Sequence, residues 1–122
     1  MKKITTIFVL LLALITMSAQ DITGTWAGDL NFTDQMGQAQ KLTIKFNITA
    51  TDDGYTSTLD NQDQNSYGNV VDSTIFKNPV LTLKVSAFQV VYVGKLVDDN
   101  NIKGTLTQAG MSMELNMTRE PE

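Results

Sequence analysis

Strict alternation of apolar and polar residues is the feature that most limits how this chain can fold. Residues 41–48 alternate without exception, and residues 111–118 repeat the pattern with a methionine-rich row. A period of two places all apolar side chains on one face of a β-strand, whereas an amphipathic helix needs a period of about 3.6. The chain is therefore predicted to be all-β. The apolar face of the first of these strands consists of Leu42, Ile44, Phe46 and Ile48.

Turn signals divide the chain into short strands. Thr51-Asp52-Asp53-Gly54 is typical of a hairpin turn, because glycine accepts a positive φ and aspartate tolerates it. Residues 98–101 and 109–110 mark two further turns, and the polar run 61–69 predicts a loop. The predicted strands are 25–32, 41–48, 55–60, 70–76, 80–85, 89–96, 102–108 and 111–118.

Eight antiparallel strands with short connections can close into an up-and-down barrel, and closure removes both sheet edges. We therefore predict an eight-stranded antiparallel up-and-down β-barrel, with a two-sheet β-sandwich as the alternative. Glycines within the strands, among them Gly28, Gly94 and Gly104, indicate sharp coiling or close approach of neighbouring groups.

The first residues predict export. Lys2 and Lys3 precede an apolar run at 4–15, which is shorter than the roughly 20 residues of a membrane-spanning helix. We predict a cleaved signal peptide at 1–19 and a single domain at 20–122, secreted or periplasmic, with no membrane span after processing. The sequence has no cysteine, which excludes a lipid-anchored lipoprotein and disulfides.

The net charge of the predicted mature part limits which kinds of binding partner are expected. Lys2 and Lys3 belong to the predicted leader, so the mature part has seven basic residues against thirteen acidic ones and no basic cluster along the sequence. Nucleic acid and anionic membrane surfaces are therefore not expected as partners.

A family resemblance begins at Gly24-Thr25-Trp26 in the first predicted strand. This tripeptide resembles the Gly-x-Trp signature of lipocalin and calycin barrels. The resemblance implies that Trp26 caps one barrel end and packs on a basic residue near the end of the last strand, where Arg119 stands. The wider pattern, with Gly104-Thr105-Leu106 near the end, is also similar to a secreted bacterial domain that occurs alone or ahead of an α/β-hydrolase domain.

Residue types exclude much enzyme chemistry. Without histidine or cysteine, this chain contains no Ser-His-Asp triad, no Cys-His pair and no imidazole or thiolate zinc site. The pairs Asp52/Asp53 and Asp98/Asp99 lie in predicted turns, and the oxygen-rich run 60–65 lacks the spacing of an EF-hand calcium loop. We predict a non-enzymatic protein with no cofactor and no metal.

Two functions remain open. An eight-stranded barrel can hold one small ligand or be filled by side chains. A small apolar ligand would be bound by interior aromatic residues and methionines, which are adaptable at apolar surfaces: Phe46, Tyr55, Tyr92, Met111, Met113 and Met117. The alternative is an interaction module that docks on another exported protein, such as a hydrolase, through exposed aromatic residues among Tyr67, Phe76 and Phe88.

Overall fold

Ten antiparallel strands make up the fold. The computed structural model describes residues 21–121, so the predicted leader at 1–19 lies outside the described residues. The strands are β1 (Gly24–Thr33), β2 (Ala39–Thr51), β3 (Gly54–Asn61), β4 (Ser66–Val70), β5 (Ser73–Lys77), β6 (Val80–Val85), β7 (Val90–Asp98), β8 (Asn101–Gln108), β9 (Met111–Glu114) and β10 (Met117–Arg119).

All ten strands belong to one sheet with the order β4-β3-β2-β1-β10-β8-β7-β6-β5, and β9 also pairs with β8. Every pair of neighbouring strands runs antiparallel in residues 21–121, so the prediction of an all-β antiparallel fold is confirmed. Among residues 21–121, no helix is long and apolar enough to cross a membrane.

The strand count differs from the predicted eight for two reasons. The run 61–69, predicted as a loop, contains a short 3₁₀ turn and then β4, which pairs back onto β3. The last predicted strand is divided into β9 and β10. At the break, the side-chain Oδ1 of Asn116 accepts a hydrogen bond from the backbone N–H of Gly104 at 3.3 Å. A side chain thus interrupts the regular backbone ladder at this point.

The sheet is not closed by backbone pairing, which corrects the prediction that closure removes both edges. β4 and β5 stand at the two ends of the strand order and are not hydrogen-bonded neighbours in the described part of the chain. The sheet nevertheless curls until β3 and β5 meet through side chains. The hydroxyls of Ser57 and Thr74 lie 2.5 Å apart, and the rings of Tyr55 and Phe76 meet edge to face at 6.3 Å.

The core lies inside this curled sheet and is filled in its middle by large side chains. Phe46 and Tyr92 are fully buried, with their ring centroids 6.1 Å apart. The phenol Oη of Tyr92 donates a hydrogen bond to the Leu115 carbonyl at 2.8 Å. Gly94 and Gly104 stand opposite each other and leave the space for this ring, because an added methyl group would come within 2.7 and 2.5 Å of Tyr92 Oη.

Candidate ligand cavity

A cavity of about 240 Å³ lies at one end of the curled sheet. It is found where β1, β3 and β8 end and where β2, β4 and β7 begin. We call this the open end. The residues that line the cavity are Leu30, Leu42, Ile44, Leu59, Asn61, Gln64, Ser66, Phe88, Val90, Leu106 and Gln108.

Two short 3₁₀ turns stand at this cavity. The first, Gln62–Gln64, provides Gln64, and the second, Ser86–Phe88, provides Phe88. Each turn is followed by a residue in the left-handed region, Asn65 with φ 58° and Gln89 with φ 56°. The second turn is tied to the end of β8, because the side-chain amide of Gln108 donates to the Phe88 carbonyl at 3.1 Å. This hydrogen bond helps to keep the Phe88 ring beside the cavity.

The lining is mainly aliphatic, and none of the residues known to line it is charged. Its polar members are amides and a hydroxyl. The Asn61 amide Nδ2 donates to Gln64 Oε1 at 3.0 Å. The Asn61 Oδ1 is shielded from solvent and accepts no hydrogen bond from any residue in the described part of the chain. A buried acceptor without a donor costs about 1–3 kcal/mol, so this oxygen marks a position where a donor would be stabilising.

The residues predicted to bind a ligand lie elsewhere. Phe46, Tyr92 and Met117 are fully buried in the core, and Tyr55 and Met113 are partly buried against it. The prediction that Met111 lies in the interior is wrong, since this residue is 69% exposed at the start of β9. None of these six residues is among those that line the cavity. Their role in ligand binding stays a prediction.

The sequence predicted that several of the cavity-lining residues face the interior, but it did not distinguish them from the residues that fill the core. Leu30 and Leu106 belong to inward rows of alternating strands, and the structure buries both. Alternation tells which face a residue occupies but not its depth along the interior. The missed polar residue is Asn61, which the sequence assigned to a loop. Its position at the end of β3 follows from pairing with Ile44 on β2 and Ser66 on β4.

The other end of β1 is closed by the chain itself. The guanidinium carbon of Arg119 lies 4.4 Å from the centroid of the Trp26 ring, so the structure brings these two predicted residues into contact. The indole Nε1–H donates to the Ile22 carbonyl at 2.9 Å. Ile22 and Trp26 are fully buried. We call the group of Ile22, Trp26 and Arg119 the capped end.

Hydrogen bonds fasten the capped end to the segment that precedes β1. The Arg119 guanidinium donates to three backbone carbonyls, those of Asp21, Thr23 and Asp99. The Asp21 carboxylate accepts from the backbone N–H and the hydroxyl of Thr23, both at 2.9 Å. These hydrogen bonds, with a smaller contribution from the positive charge of Arg119, lower the pKa of Asp21. The charged form of Asp21 is therefore favoured in the folded protein.

Three of the candidate acidic residues accept hydrogen bonds from backbone N–H groups. Asp98 accepts from the backbone N–H of Asn100 at 2.9 Å, which lowers the pKa of Asp98. In the run 60–65, Asp60 accepts from the Gly68 N–H at 2.8 Å and Asp63 accepts from the Thr43 N–H at 2.6 Å. Within residues 21–121, no three acidic side chains converge on a point where a metal ion could bind.

The three aromatic residues considered for docking have different surroundings. Tyr67 is 61% exposed on β4. Phe76 packs on Tyr55 and the core, and Phe88 lines the cavity. Comparisons of the chain with protein-family models, with curated proteins and with solved structures found no match. The resemblance to lipocalins therefore stays a prediction.

Proposed function

We propose that this chain is an exported, non-enzymatic binding protein that takes up a small apolar ligand in a barrel-like sheet. The observation that carries the proposal is the cavity at the open end. Of the eleven described residues that line it, seven are aliphatic or aromatic, and ligand sites in proteins are typically concave, mainly apolar and provided with a few polar groups.

Volume sets the size of the ligand. A dry apolar cavity of about 150 Å³ takes up benzene, whereas sites for drug-sized molecules occupy about 300–1,000 Å³. The cavity of about 240 Å³ lies between these values. It therefore suits a single aromatic ring with a short substituent, or a short alkyl chain, and a long-chain lipid would extend beyond it.

The barrel-like form supports the proposal. The side-chain contacts between β3 and β5 join the two halves of the sheet around one core. Large rings fill the middle of that core, while leucine, isoleucine and valine line the space at the open end. The lack of histidine and cysteine supports a binding role over nucleophilic or metal-dependent catalysis.

Docking on another exported protein is the second function that the sequence left open, and it stays a prediction. Tyr67 is the most exposed of the three aromatic residues considered for it, while Phe76 and Phe88 face the core and the cavity. A lined cavity favours ligand binding over docking.

Titration with toluene tests the proposal. Methyl NMR of the mature protein should show saturable shifts at Leu30, Leu42 and Leu106, with Leu81 and Leu83 unchanged. Toluene at about 100 times its Kd should stabilise the fold by about 2.7 kcal/mol in thermal unfolding. A protein that shows no saturable shift and no stabilisation would contradict the proposal.

Two variants sharpen the test. Leu59→Phe adds volume inside the cavity and should abolish toluene binding, at a cost of up to about 1–3 kcal/mol in stability because Leu59 is also part of the core. The control Val93→Phe adds the same ring type at an outward position that is 47% exposed, and it should bind toluene as the native chain does. Equal binding by both variants would place the ligand outside this cavity.

A further inference from the structure

We infer that the cavity selects a neutral ligand with one hydrogen-bond donor, which Asn61 Oδ1 accepts. This inference rests on the proposed function, because it names the chemical class of the ligand bound in the same cavity. Alcohols and phenols with a small apolar body belong to this class, whereas hydrocarbons, ethers and carboxylates do not.

The unpaired oxygen carries the argument. Asn61 ends β3 and points to the interior with Ser57 and Leu59, since alternate residues of a strand share a face. Its Nδ2 is engaged by Gln64, and this contact orients the amide so that Oδ1 remains without a donor in the described structure. An amide carbonyl oxygen can only accept. The complementary ligand atom is therefore an O–H or N–H donor.

The rest of the lining excludes an anion. Among residues 21–121, no lysine or arginine lines the cavity, and a buried charge needs a partner of opposite sign. A carboxylate would also place its oxygens against Asn61 Oδ1, two acceptors facing each other. The donor must belong to a neutral group.

A hydrocarbon would fit the apolar walls but would leave the oxygen without a donor. It would also displace any water that donates to Asn61 Oδ1 in the unliganded protein, because a site of this size has room for water. A neutral donor satisfies the oxygen and retains the apolar contacts. This difference decides selectivity, because both ligands bury similar apolar area.

The experiment compares benzyl alcohol, ethylbenzene, anisole and benzoate on the mature protein, with Kd values from methyl NMR. The first three are nearly equal in size and differ in their donors and acceptors. We expect benzyl alcohol to bind about five- to tenfold more tightly than ethylbenzene and anisole, as one net hydrogen bond implies. Benzoate should bind most weakly. The side-chain amide signal of Asn61 should shift with benzyl alcohol.

Asn61→Leu supplies the matched variant. Leucine has nearly the shape of asparagine and no acceptor, so the preference for benzyl alcohol over ethylbenzene should disappear while ethylbenzene still binds. If this variant does not fold, the ligand series and the Asn61 amide shift on the native chain decide the matter. The control Asn31→Leu makes the same change at an exposed position of β1 outside the cavity lining, and it should keep the preference for benzyl alcohol.

The outcomes separate the two proposals. If ethylbenzene binds as tightly as benzyl alcohol, the role of Asn61 is wrong and the cavity function stands. Tighter binding of anisole or benzoate would likewise overturn the donor inference. If none of the four compounds binds, the proposed function itself fails.

Discussion

The capped end and the open end of the curled sheet differ in how their polar groups are satisfied. At the capped end, the indole N–H and the guanidinium all donate to backbone carbonyls, and Ile22 and Trp26 are fully buried. At the open end, a cavity remains and Asn61 Oδ1 lacks a donor. The difference shows that the chain's own groups fill one end, whereas the other end keeps a cavity and an unpaired acceptor.

The two ends differ because different parts of the chain and side chains of different size occupy them. At the capped end, the carbonyls of Asp21 and Thr23, in the segment before β1, accept hydrogen bonds from the Arg119 guanidinium. At the open end, the described residues around the cavity are mainly aliphatic, and space remains between their side chains. Trp26 and Leu30 are four residues apart on β1, which corresponds to about 13 Å of strand. The strand β1 thus extends from the capped end to the open end.

The largest expected effect is at the capped end. Trp26→Ala removes a fully buried indole and should lower the free energy of unfolding by about 3–5 kcal/mol in urea titrations. Phe88→Ala, at the cavity, should cost less than about 1.5 kcal/mol because its ring is 39% exposed. If Trp26→Ala does not fold, Trp26→Phe should still lower the free energy of unfolding more than Phe88→Ala does. Equal losses at the two ends would break the comparison.

An intermediate effect is expected from Arg119→Lys. Lysine keeps the positive charge but lacks the planar fork that reaches several carbonyls at once. Losing one charged hydrogen bond should lower the free energy of unfolding by about 1.5–3 kcal/mol. Lys41→Arg, an exposed substitution near the open end, should change it by less than about 0.5 kcal/mol. Toluene affinity should stay unchanged in both variants, and a marked loss in Arg119→Lys would show that the two ends are coupled.

The smallest effect is a pH dependence at Asp21. Its pKa is lowered in the folded protein, so its stabilising contribution is present above the unfolded pKa of about 3.9 and is lost as the pH falls through the lower folded value. Asp21→Asn should therefore flatten the curve of unfolding free energy against pH below about pH 4. The change at neutral pH should stay within about 0.5 kcal/mol because the carboxylate is exposed.

Asp34→Asn is the matched control in the turn between β1 and β2. Hydrogen bonds from the Gln38 backbone and the Gln40 side chain lower the pKa of Asp34, and Arg119 does not contribute. Added salt should therefore weaken the Asp21 effect more than the Asp34 effect, since salt screens the attraction to Arg119. The same response to salt in both variants would show that the Arg119 charge does not act on Asp21.

Local patterns predicted much of the fold. The alternation at 41–48 and the turn Asp52-Asp53 place β2, its hairpin and the start of β3 as the structure has them. The sequence did not show β4, because Ser66 and Asn69 are polar and Gly68 has little strand propensity. It forms because the short turn Gln62–Gln64 brings it back against the edge of β3, which offers backbone hydrogen bonds to it.

The candidate site was less predictable than the fold. Met117 and Tyr92 belong to the predicted interior, yet they fill the core, and the space lies beside shorter side chains. Burial depth depends on strand tilt and on which rings meet across the interior, and neither quantity is encoded by a residue's immediate neighbours.

The sequence by itself determined the all-β class and the hairpin turns, because these follow from alternation and turn chemistry, and the resemblance to lipocalin barrels implied the contact between Trp26 and Arg119. Only the tertiary structure decided that the sheet is not closed by backbone pairing, that Ile22 and Arg119 seal one end, and that Asn61 faces a cavity at the other. These features arise from contacts between residues far apart in the chain, whose distances no local pattern specifies.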